Sequence, residues 1–105
     1  MRSLPREIVI CQRSDGSEPF TEWLDQLDPK TLATVLLRID RVEDGNFGDC
    51  KPIGDGLSEL RIDFGPGYRI YFGQAGAQVH LIGGGQKKRQ QQDISAAKEF
   101  WSSHD

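Results

Sequence analysis

The chain has 105 residues, the length of one domain with a single modest core, and we therefore predict one domain over residues 1–105. Hydrophobic residues make up 36% of the sequence and charged residues 28%, which is enough apolar mass to fold and excludes a disordered protein. The net charge of -3 argues against an unselective nucleic-acid binder with a broad basic face, so any RNA contact is expected to be local.

The first part of the chain is expected to contain one strand and two helices. A β-branched run over residues 7–13 predicts an opening strand. Apolar residues recur at helical spacing from Phe20 to Leu27, which predicts a first helix. Asp28 and Pro29 are typical of a helix start, and an apolar stripe over residues 32–42 continues this second helix. Because almost no loop separates the two helices, we expect an antiparallel helical hairpin.

The second part is expected to form a three-strand meander and a final helix. Residues 45–56 are rich in Gly, Asp and Pro and show no period, which predicts a surface loop that carries Lys51. Polar and apolar residues alternate over residues 58–64, 68–72 and 78–81, which predicts antiparallel strands. Helical spacing from Ile94 to Trp101 predicts a C-terminal helix. The predicted fold class is α+β, an antiparallel sheet with the hairpin packed on one face.

The opposite face of the predicted sheet carries a group of polar side chains. If residues 65–67 form a three-residue loop, Asp63 pairs with Arg69 and Arg61 pairs with Tyr71. Extending the pairing through the next turn places His80 near Arg69. An exposed sheet face is normally polar, and the pattern alone favours a simple cross-strand ion pair. The alternative is a phosphate site, because two guanidiniums can stabilise a pentacoordinate transition state while a phenol orients or exchanges a proton.

Three consecutive basic residues, Lys87, Lys88 and Arg89, lie between a glycine-rich strand end and the start of the last helix. Backbone N–H groups and the helix dipole favour anions at such a place, so this segment is a candidate phosphate site. The alternative is a solvated basic turn, because three charges in a row are a weak signal by themselves. The chain contains no complete GxxxxGK[ST] or GxGxxG motif.

The sequence predicts no metal site, cofactor or disulfide framework. Cys11 and Cys50 lack CxxC spacing and a histidine cluster, so we expect two reduced thiols. His80 is interpreted either as an exposed strand residue or as an acid–base group, and His104 as a surface side chain. No long apolar run is present, so neither a signal peptide nor a membrane span is predicted and a cytoplasmic location is expected.

Two segments resemble the HigB-like killer proteins, a group within the RelE/ParE superfamily. The first is residues 56–72, with the sequence GLSELRIDFGPGYRIYF, and the second is residues 83–87, GGGQK, followed by Gln90, Asp93, Ile94 and Ala97. The likeness extends from the helix that contains Phe20 to Trp101, with strand, turn, glycine-rich and helix motifs in the same order.

This resemblance implies a RelE/ParE-like fold and the toxin of a type II toxin–antitoxin system. Many relatives are metal-independent endoribonucleases, called mRNA interferases, that cleave mRNA on the ribosome and so inhibit translation and growth. The implied partners are a cognate antitoxin, often a helix-turn-helix protein, together with the ribosome and mRNA. Two alternatives stay open, since fold does not decide between them: a ParE-like inhibitor of DNA gyrase, and a degenerate toxin that serves as a binding or regulatory module.

Carried over by position, the resemblance also implies site residues. The implied catalytic residues are Arg61, Arg69, Tyr71 and Lys87, and Lys51 is a looser match that we take as an RNA-binding candidate. Three further RNA-binding candidates come from the pattern of the sequence rather than from the resemblance: His80 on the predicted sheet face, and Lys88 and Arg89 in the basic turn.

Overall fold

The computed structural model describes residues 4–103, so the expectation for His104 lies outside the described residues. The strands are β1 (Glu7–Ile10), β2 (Cys50–Gly54), β3 (Leu57–Ile62), β4 (Tyr68–Ala75) and β5 (Gln78–Gln86), and the helices are α1 (Pro19–Leu24), α2 (Pro29–Glu43) and α3 (Gln90–Ser102). A 3-10 turn at Lys87–Arg89 leads from β5 into α3. None of the helices within residues 4–103 is long and apolar enough to cross a membrane.

Within the described residues, the five strands form one mixed sheet in the order β1-β5-β4-β3-β2. The meander of β3, β4 and β5 is antiparallel, as predicted, whereas β1 runs parallel to β5 at the edge. A parallel pair needs a long crossover connection, and the rest of the chain between β1 and β5 supplies it. The α+β class is confirmed, but the purely antiparallel sheet is wrong at β1.

The predicted surface loop over residues 45–56 is wrong, because it contains the edge strand β2. This strand pairs with β3 in a hairpin whose turn includes Asp55 and Gly56, both with positive φ. An edge strand tolerates Pro52 because only one side of its backbone must bond to a neighbour. The Gly, Asp and Pro content of this segment resembles that of a loop, and it is compatible with a strand at the edge of the sheet. Lys51 lies on β2 opposite Glu59.

Both N-terminal helices form, but the first is shorter than predicted. α1 ends at Leu24, and residues 25–27 form a turn rather than a further helical turn. α2 begins where the sequence predicted, because the Asp28 side chain accepts hydrogen bonds from the backbone N–H groups of Lys30 and Thr31. A hydrogen bond from the Thr31 hydroxyl, followed by these backbone hydrogen bonds, lowers the pKa of Asp28. The expected helical hairpin is thus only partly confirmed.

The two faces of the sheet have separate apolar cores. On the face packed by α1 and α2, the buried residues include Leu60, Ile70, Phe72, Phe20 and Val35. On the other face, which we call the α3 face, a smaller cluster joins the residues Cys11, Leu57, Tyr71, Ile82 and Ala97. The α3 face was expected to be open, but α3 covers part of it. This cover changes the surroundings of several predicted site residues.

Cys11 and Cys50 are both free thiols, as expected. Burial raises the pKa of the Cys11 thiol to about 11 and also raises that of Cys50. Both side chains are therefore protonated near neutral pH, which makes them poor nucleophiles.

The glycines at 83–85 lie inside β5 rather than after its end. A Cβ at Gly84 would collide with the Trp23 ring on one face, and a Cβ at Gly85 would collide with the Asp93 carboxylate on the other. A Cβ at Gly83 would meet nothing within 4 Å. The missing side chains at Gly84 and Gly85 therefore let elements on both faces approach the strand closely.

We expect Gly84→Ala to destabilise the protein because the added methyl group would overlap the Trp23 ring. That ring is fixed by Phe20 and Tyr68, whose ring centroids lie 5.8 and 6.4 Å away. Overpacking of this kind costs about 1–3 kcal/mol, which urea denaturation would measure. Gly83→Ala is the matched control, since its methyl group enters open space. Equal stability of the two variants would contradict the packing role of Gly84.

Candidate functional site

The register between β3 and β4 differs by two residues from the predicted one. Arg61 lies directly opposite Arg69, and Ile62 lies opposite Tyr68, so residues 63–67 form the connecting loop. The expected pairs of Asp63 with Arg69 and of Arg61 with Tyr71 are therefore wrong. A shift of two residues leaves every side chain on its original face. The prediction that Arg61, Arg69 and Tyr71 share one face is consequently confirmed.

Two guanidiniums on directly opposed residues would repel each other, and a buried carboxylate compensates them. Glu59 is 1% exposed, and its carboxylate lies 3.2 Å from the Arg61 Nε and 4.0 Å from the Arg69 Nε. The side-chain amide of Gln90, at the start of α3, donates to both carboxylate oxygens at 3.0 Å. Glu59 thus orients Arg61 through a hydrogen bond, compensates the charge of Arg69 at a longer distance, and joins the sheet to α3.

Glu59 was not predicted as a site residue. Its only signal in the sequence is its place on the same alternating face as Arg61 and Arg69. Its burial depends on α3, which returns over this face from a distant part of the chain, and strand alternation contains no information about such cover.

Arg61, Arg69 and Lys87 line one cleft of about 270 Å³, which we call the arginine cleft. The loop at residues 65–67 forms one wall, and the carboxylates of Asp49 and Asp63 also line it. The backbone N–H of Lys87 donates to the carbonyl of Gly67 at 2.9 Å, which fixes the basic turn against this loop. Three of the four predicted catalytic residues therefore line a single cleft, together with two acidic residues.

Arg38 of α2 is another residue that the sequence analysis did not identify. It binds the backbone of residues that line or flank the arginine cleft. Its guanidinium donates to the backbone carbonyls of Arg61, Phe47 and Asp49, the last two at 2.8 and 2.9 Å. The carbonyl of Asp49 also accepts the N–H of Arg61 at 2.9 Å. Burial lowers the pKa of Arg38, although the neighbouring Asp49 carboxylate opposes this effect. Arg38 thus positions the backbone that carries Arg61.

Tyr71 lies outside the arginine cleft. It is 1% exposed, packs under α3, and its hydroxyl has no hydrogen-bond partner within the described residues. Burial, followed by the carboxylates of Asp93 and Glu59, raises the pKa of Tyr71, and Arg69 partly offsets this. The phenol is therefore neutral near pH 7. It lines a second cavity together with Asp93.

The predicted position of His80 near Arg69 is wrong. His80 pairs with Gly73, and its ring lies 5.7 Å from that of Trp101 in an edge-on contact. The prediction ended β4 at Phe72, whereas β4 continues to Ala75 and its turn to β5 lies at residues 76–77, which moves the partner of His80 along β4 by four residues. His80 therefore lies near the C-terminal end of α3, whereas the arginine cleft lies near the N-terminal end of this helix.

The remaining basic candidates, Lys51, Lys88 and Arg89, are exposed and lie outside the arginine cleft. Lys51 is on the edge strand β2. Lys88 and Arg89 line a wider cleft of about 910 Å³ that does not include Lys87. The three consecutive basic residues thus serve two different surfaces. Among residues 4–103, no three His, Cys, Asp or Glu side chains are grouped so that they could hold a metal ion.

Comparison with known proteins identifies related sequences. The family model described as phage derived protein Gp49-like (DUF891) matches residues 22–100. A protein of Haemophilus influenzae, described only as uncharacterized, is 47% identical over 81 residues, which are 75% of this chain and 82% of that protein. The residues matched by the family model include all of β2–β5 and therefore the arginines and Glu59.

We expect Glu59→Gln to destabilise the fold by roughly 2–3 kcal/mol, because it leaves two opposed guanidiniums without a buried counter-charge. Sulfate should restore part of this loss, since an anion in the arginine cleft can compensate the same charges. Urea denaturation in sodium chloride and in sodium sulfate at equal ionic strength measures both effects.

Glu22→Gln is the matched control for that measurement. It removes the carboxylate of an ion pair between Glu22 and Arg13. This pair lies at the surface, since the side chain of Glu22 is 51% exposed and that of Arg13 is 44% exposed. Such a pair contributes about 1 kcal/mol or less. If Glu59→Gln is as stable as this control, or gains nothing specific from sulfate, the compensating role of Glu59 is refuted.

Proposed function

Since this chain belongs to the phage-derived Gp49-like family, a family of addiction-module toxins, we propose that it is the toxin of a toxin–antitoxin pair. We propose further that it acts as a single domain in the cytoplasm, where it cleaves mRNA on the ribosome as RelE and HigB-like enzymes do. The observation that carries this proposal is the convergence of Arg61, Arg69 and Lys87 on one cleft.

The arginine cleft has the donors that an RNA phosphate requires. Guanidiniums present planar sets of N–H groups that match phosphate oxygens, and such donors stabilise the extra negative charge of a pentacoordinate phosphorus. Arg61 uses its Nε for Glu59, and within residues 4–103 its two terminal nitrogens make no hydrogen bond. These nitrogens are therefore available to a ligand. Glu59 holds the side chain in place before the ligand arrives, so little ordering is required on binding.

In the proposed reaction, the ribose 2′-oxygen attacks the adjacent phosphorus while the bond from phosphorus to the 5′-oxygen of the next nucleotide breaks. Asp63, in the cleft wall, accepts the 2′-hydroxyl proton, and Lys87 donates a proton to the departing oxygen. The products are a 2′,3′-cyclic phosphate and a 5′-hydroxyl. This reaction is a transesterification at phosphorus without a change of oxidation state, and the proposed steps use only side chains of the protein.

The other basic candidates are proposed to contact RNA outside the reacting phosphate. Lys51, Lys88 and Arg89 are exposed, and surface cations of this kind bind the phosphate backbone of ribosomal RNA or mRNA and orient the protein. We assign no proton-transfer step to Tyr71 or His80, since Tyr71 lines a different cavity and His80 packs against Trp101.

We expect Arg61→Ala and Arg69→Ala each to lower RNA cleavage by about a hundredfold or more, because each removes a donor to the transition state. Lys30→Ala is the matched control, since it removes one exposed positive charge from α2, and Lys30 lines neither the arginine cleft nor the wider cleft with Lys88 and Arg89. Cleavage of ribosome-bound mRNA by purified variants gives the rates, and urea denaturation reports their stability. Arg69 is 8% exposed, so Arg69→Lys serves as a second variant that keeps the charge. Full activity of stable Arg61 and Arg69 variants would refute this site.

Induction of the protein without its antitoxin separates the three candidate functions. Early loss of mRNA supports the ribonuclease. DNA damage that depends on gyrase, with intact mRNA, supports the ParE-like alternative. Normal growth supports a degenerate toxin that binds or regulates.

We expect the protein to form a tight complex with the product of an adjacent gene, because an unopposed toxin would arrest the growth of its host. Co-expression of each neighbouring open reading frame with the tagged chain, followed by pull-down and size-exclusion chromatography, tests this expectation. The same neighbour should restore growth when the toxin is induced. A chain that binds none of its neighbours and needs none of them for viability would contradict the toxin–antitoxin proposal.

A further inference from the structure

A second cavity of about 270 Å³ lies between β5 and α3, apart from the arginine cleft. Its walls are mostly apolar, and three residues with polar side chains, Arg13, Tyr71 and Asp93, line it. The lining includes Pro19, Ile82, Ala97, Phe100, Tyr71 and Asp93. Ligand pockets usually measure roughly 300–1,000 Å³, so this cavity is suited to a single ring system rather than a large molecule.

Two of these three side chains, those of Tyr71 and Asp93, carry a buried polar atom that has no partner within residues 4–103. Within the described residues, neither the Tyr71 hydroxyl nor the Asp93 Oδ2 makes a hydrogen bond. Buried polar groups are normally satisfied, because an unpaired one costs desolvation free energy. Tyr71 is 1% exposed, so its hydroxyl can meet a ligand only within this cavity. The pair indicates a ligand that offers a hydrogen-bond donor to Asp93 and a hydrogen-bond acceptor to Tyr71.

The glycines of β5 determine the shape of this cavity. Gly85 lets the Asp93 carboxylate lie directly against the strand, since any Cβ there would collide with it. Gly83 lines the cavity, and a Cβ at that position would meet nothing within 4 Å. The strand therefore presents a bare backbone surface on which a flat ring can lie.

We propose that this cavity binds a guanine base. The N1–H and exocyclic amine of guanine are adjacent donors that a carboxylate accepts together, and the neighbouring O6 accepts a hydrogen bond from a phenol. Asp93 and Tyr71 supply these two groups, and the apolar walls cover the ring faces. Adenine reverses the pattern of donors and acceptors on this edge, so it would leave the carboxylate unpaired. Rejection of such analogues is strong where a buried polar group loses its partner.

The neighbouring wide cleft supplies a place for the rest of a nucleotide. It shares Arg13, Gly84 and Asp93 with the guanine cavity and continues to Lys88 and Arg89. Glu22 also lines it, but this carboxylate is paired with Arg13 at 2.9 Å. Lys88 and Arg89 can therefore bind the phosphate of the nucleotide whose base lies in the cavity. Guanine could arrive as a free nucleotide or as one residue of an RNA.

Isothermal titration of the purified protein with three nucleotides tests the base assignment. GMP should bind about tenfold or more tighter than AMP, because AMP leaves Asp93 unpaired. IMP keeps N1–H and O6 but lacks the exocyclic amine, so its affinity should lie between the two. Equal affinity for GMP and AMP, or no binding of any nucleotide, would overturn the proposal and leave a cavity filled only by water.

Variants within the cavity test the assigned groups. Asp93→Asn should abolish the preference for GMP, and Tyr71→Phe should weaken GMP binding about tenfold because a ligand acceptor then lacks its donor. Glu99→Gln, on the exposed side of α3, is the control that removes the same charge from the same helix. Gly83→Ala should block the cavity and leave stability unchanged. Retention of the GMP preference in Asp93→Asn and Gly83→Ala would refute the site.

Two further comparisons identify the source of the base and separate this proposal from RNA cleavage. If the bound guanine belongs to an RNA, a short RNA with one guanosine should bind more tightly than the same RNA with adenosine. If the bound guanine belongs to a free nucleotide, GMP alone should bind as tightly as the guanosine-containing RNA. Arg61→Ala should retain GMP binding even though it loses cleavage. Loss of GMP binding in that stable variant would contradict a separate guanine site.

Discussion

The carboxylate of Glu59 is the constraint on which this site depends. Two arginines face each other across β3 and β4, and without a buried anion between them this register would be electrostatically unfavourable. Gln90 reaches the same carboxylate from α3, so one side chain connects strand pairing, arginine orientation and helix placement. A buried charge is stabilising only when its partners are present, and the partners here come from three elements. The arginine cleft is therefore a product of tertiary packing rather than of one motif.

The glycines of β5 allow helices to pack closely on both faces of the sheet. The middle of the sheet must accept α1 on one face and α3 on the other, and β5 contacts both helices. Gly84 admits an indole on the first side and Gly85 admits a carboxylate on the second. In the sequence these glycines were interpreted as a strand end that precedes the basic candidate phosphate site. In the structure they belong to a strand, where the absence of side chains matters more than backbone freedom.

Strand alternation predicted much of the fold and the correct face for the arginines, because side-chain direction follows a period of two. It failed on register, since the alternation of residues 58–72 fits a loop at 65–67 as well as one at 63–67. It also missed β2, whose Pro52 and glycines resemble a loop, and it ended β4 at Phe72, three residues too early, which placed His80 near Arg69. The roles of Glu59, Arg38 and Asp93 could not be read from the sequence, because each depends on contacts between distant segments.

The parallel pairing of β1 with β5 has a consequence for synthesis. Glu7 lies opposite Gln78, 71 residues further along the chain, so β1 has no strand to join until most of the protein has been made. Pairings of such long sequence separation form slowly, because the chain loses much entropy before the contacts compensate. Gln90 and Asp93 follow still later. A nascent chain emerging from the ribosome therefore lacks both the partner of Glu59 and the guanine cavity, and neither site can be complete before the residues of α3 are released.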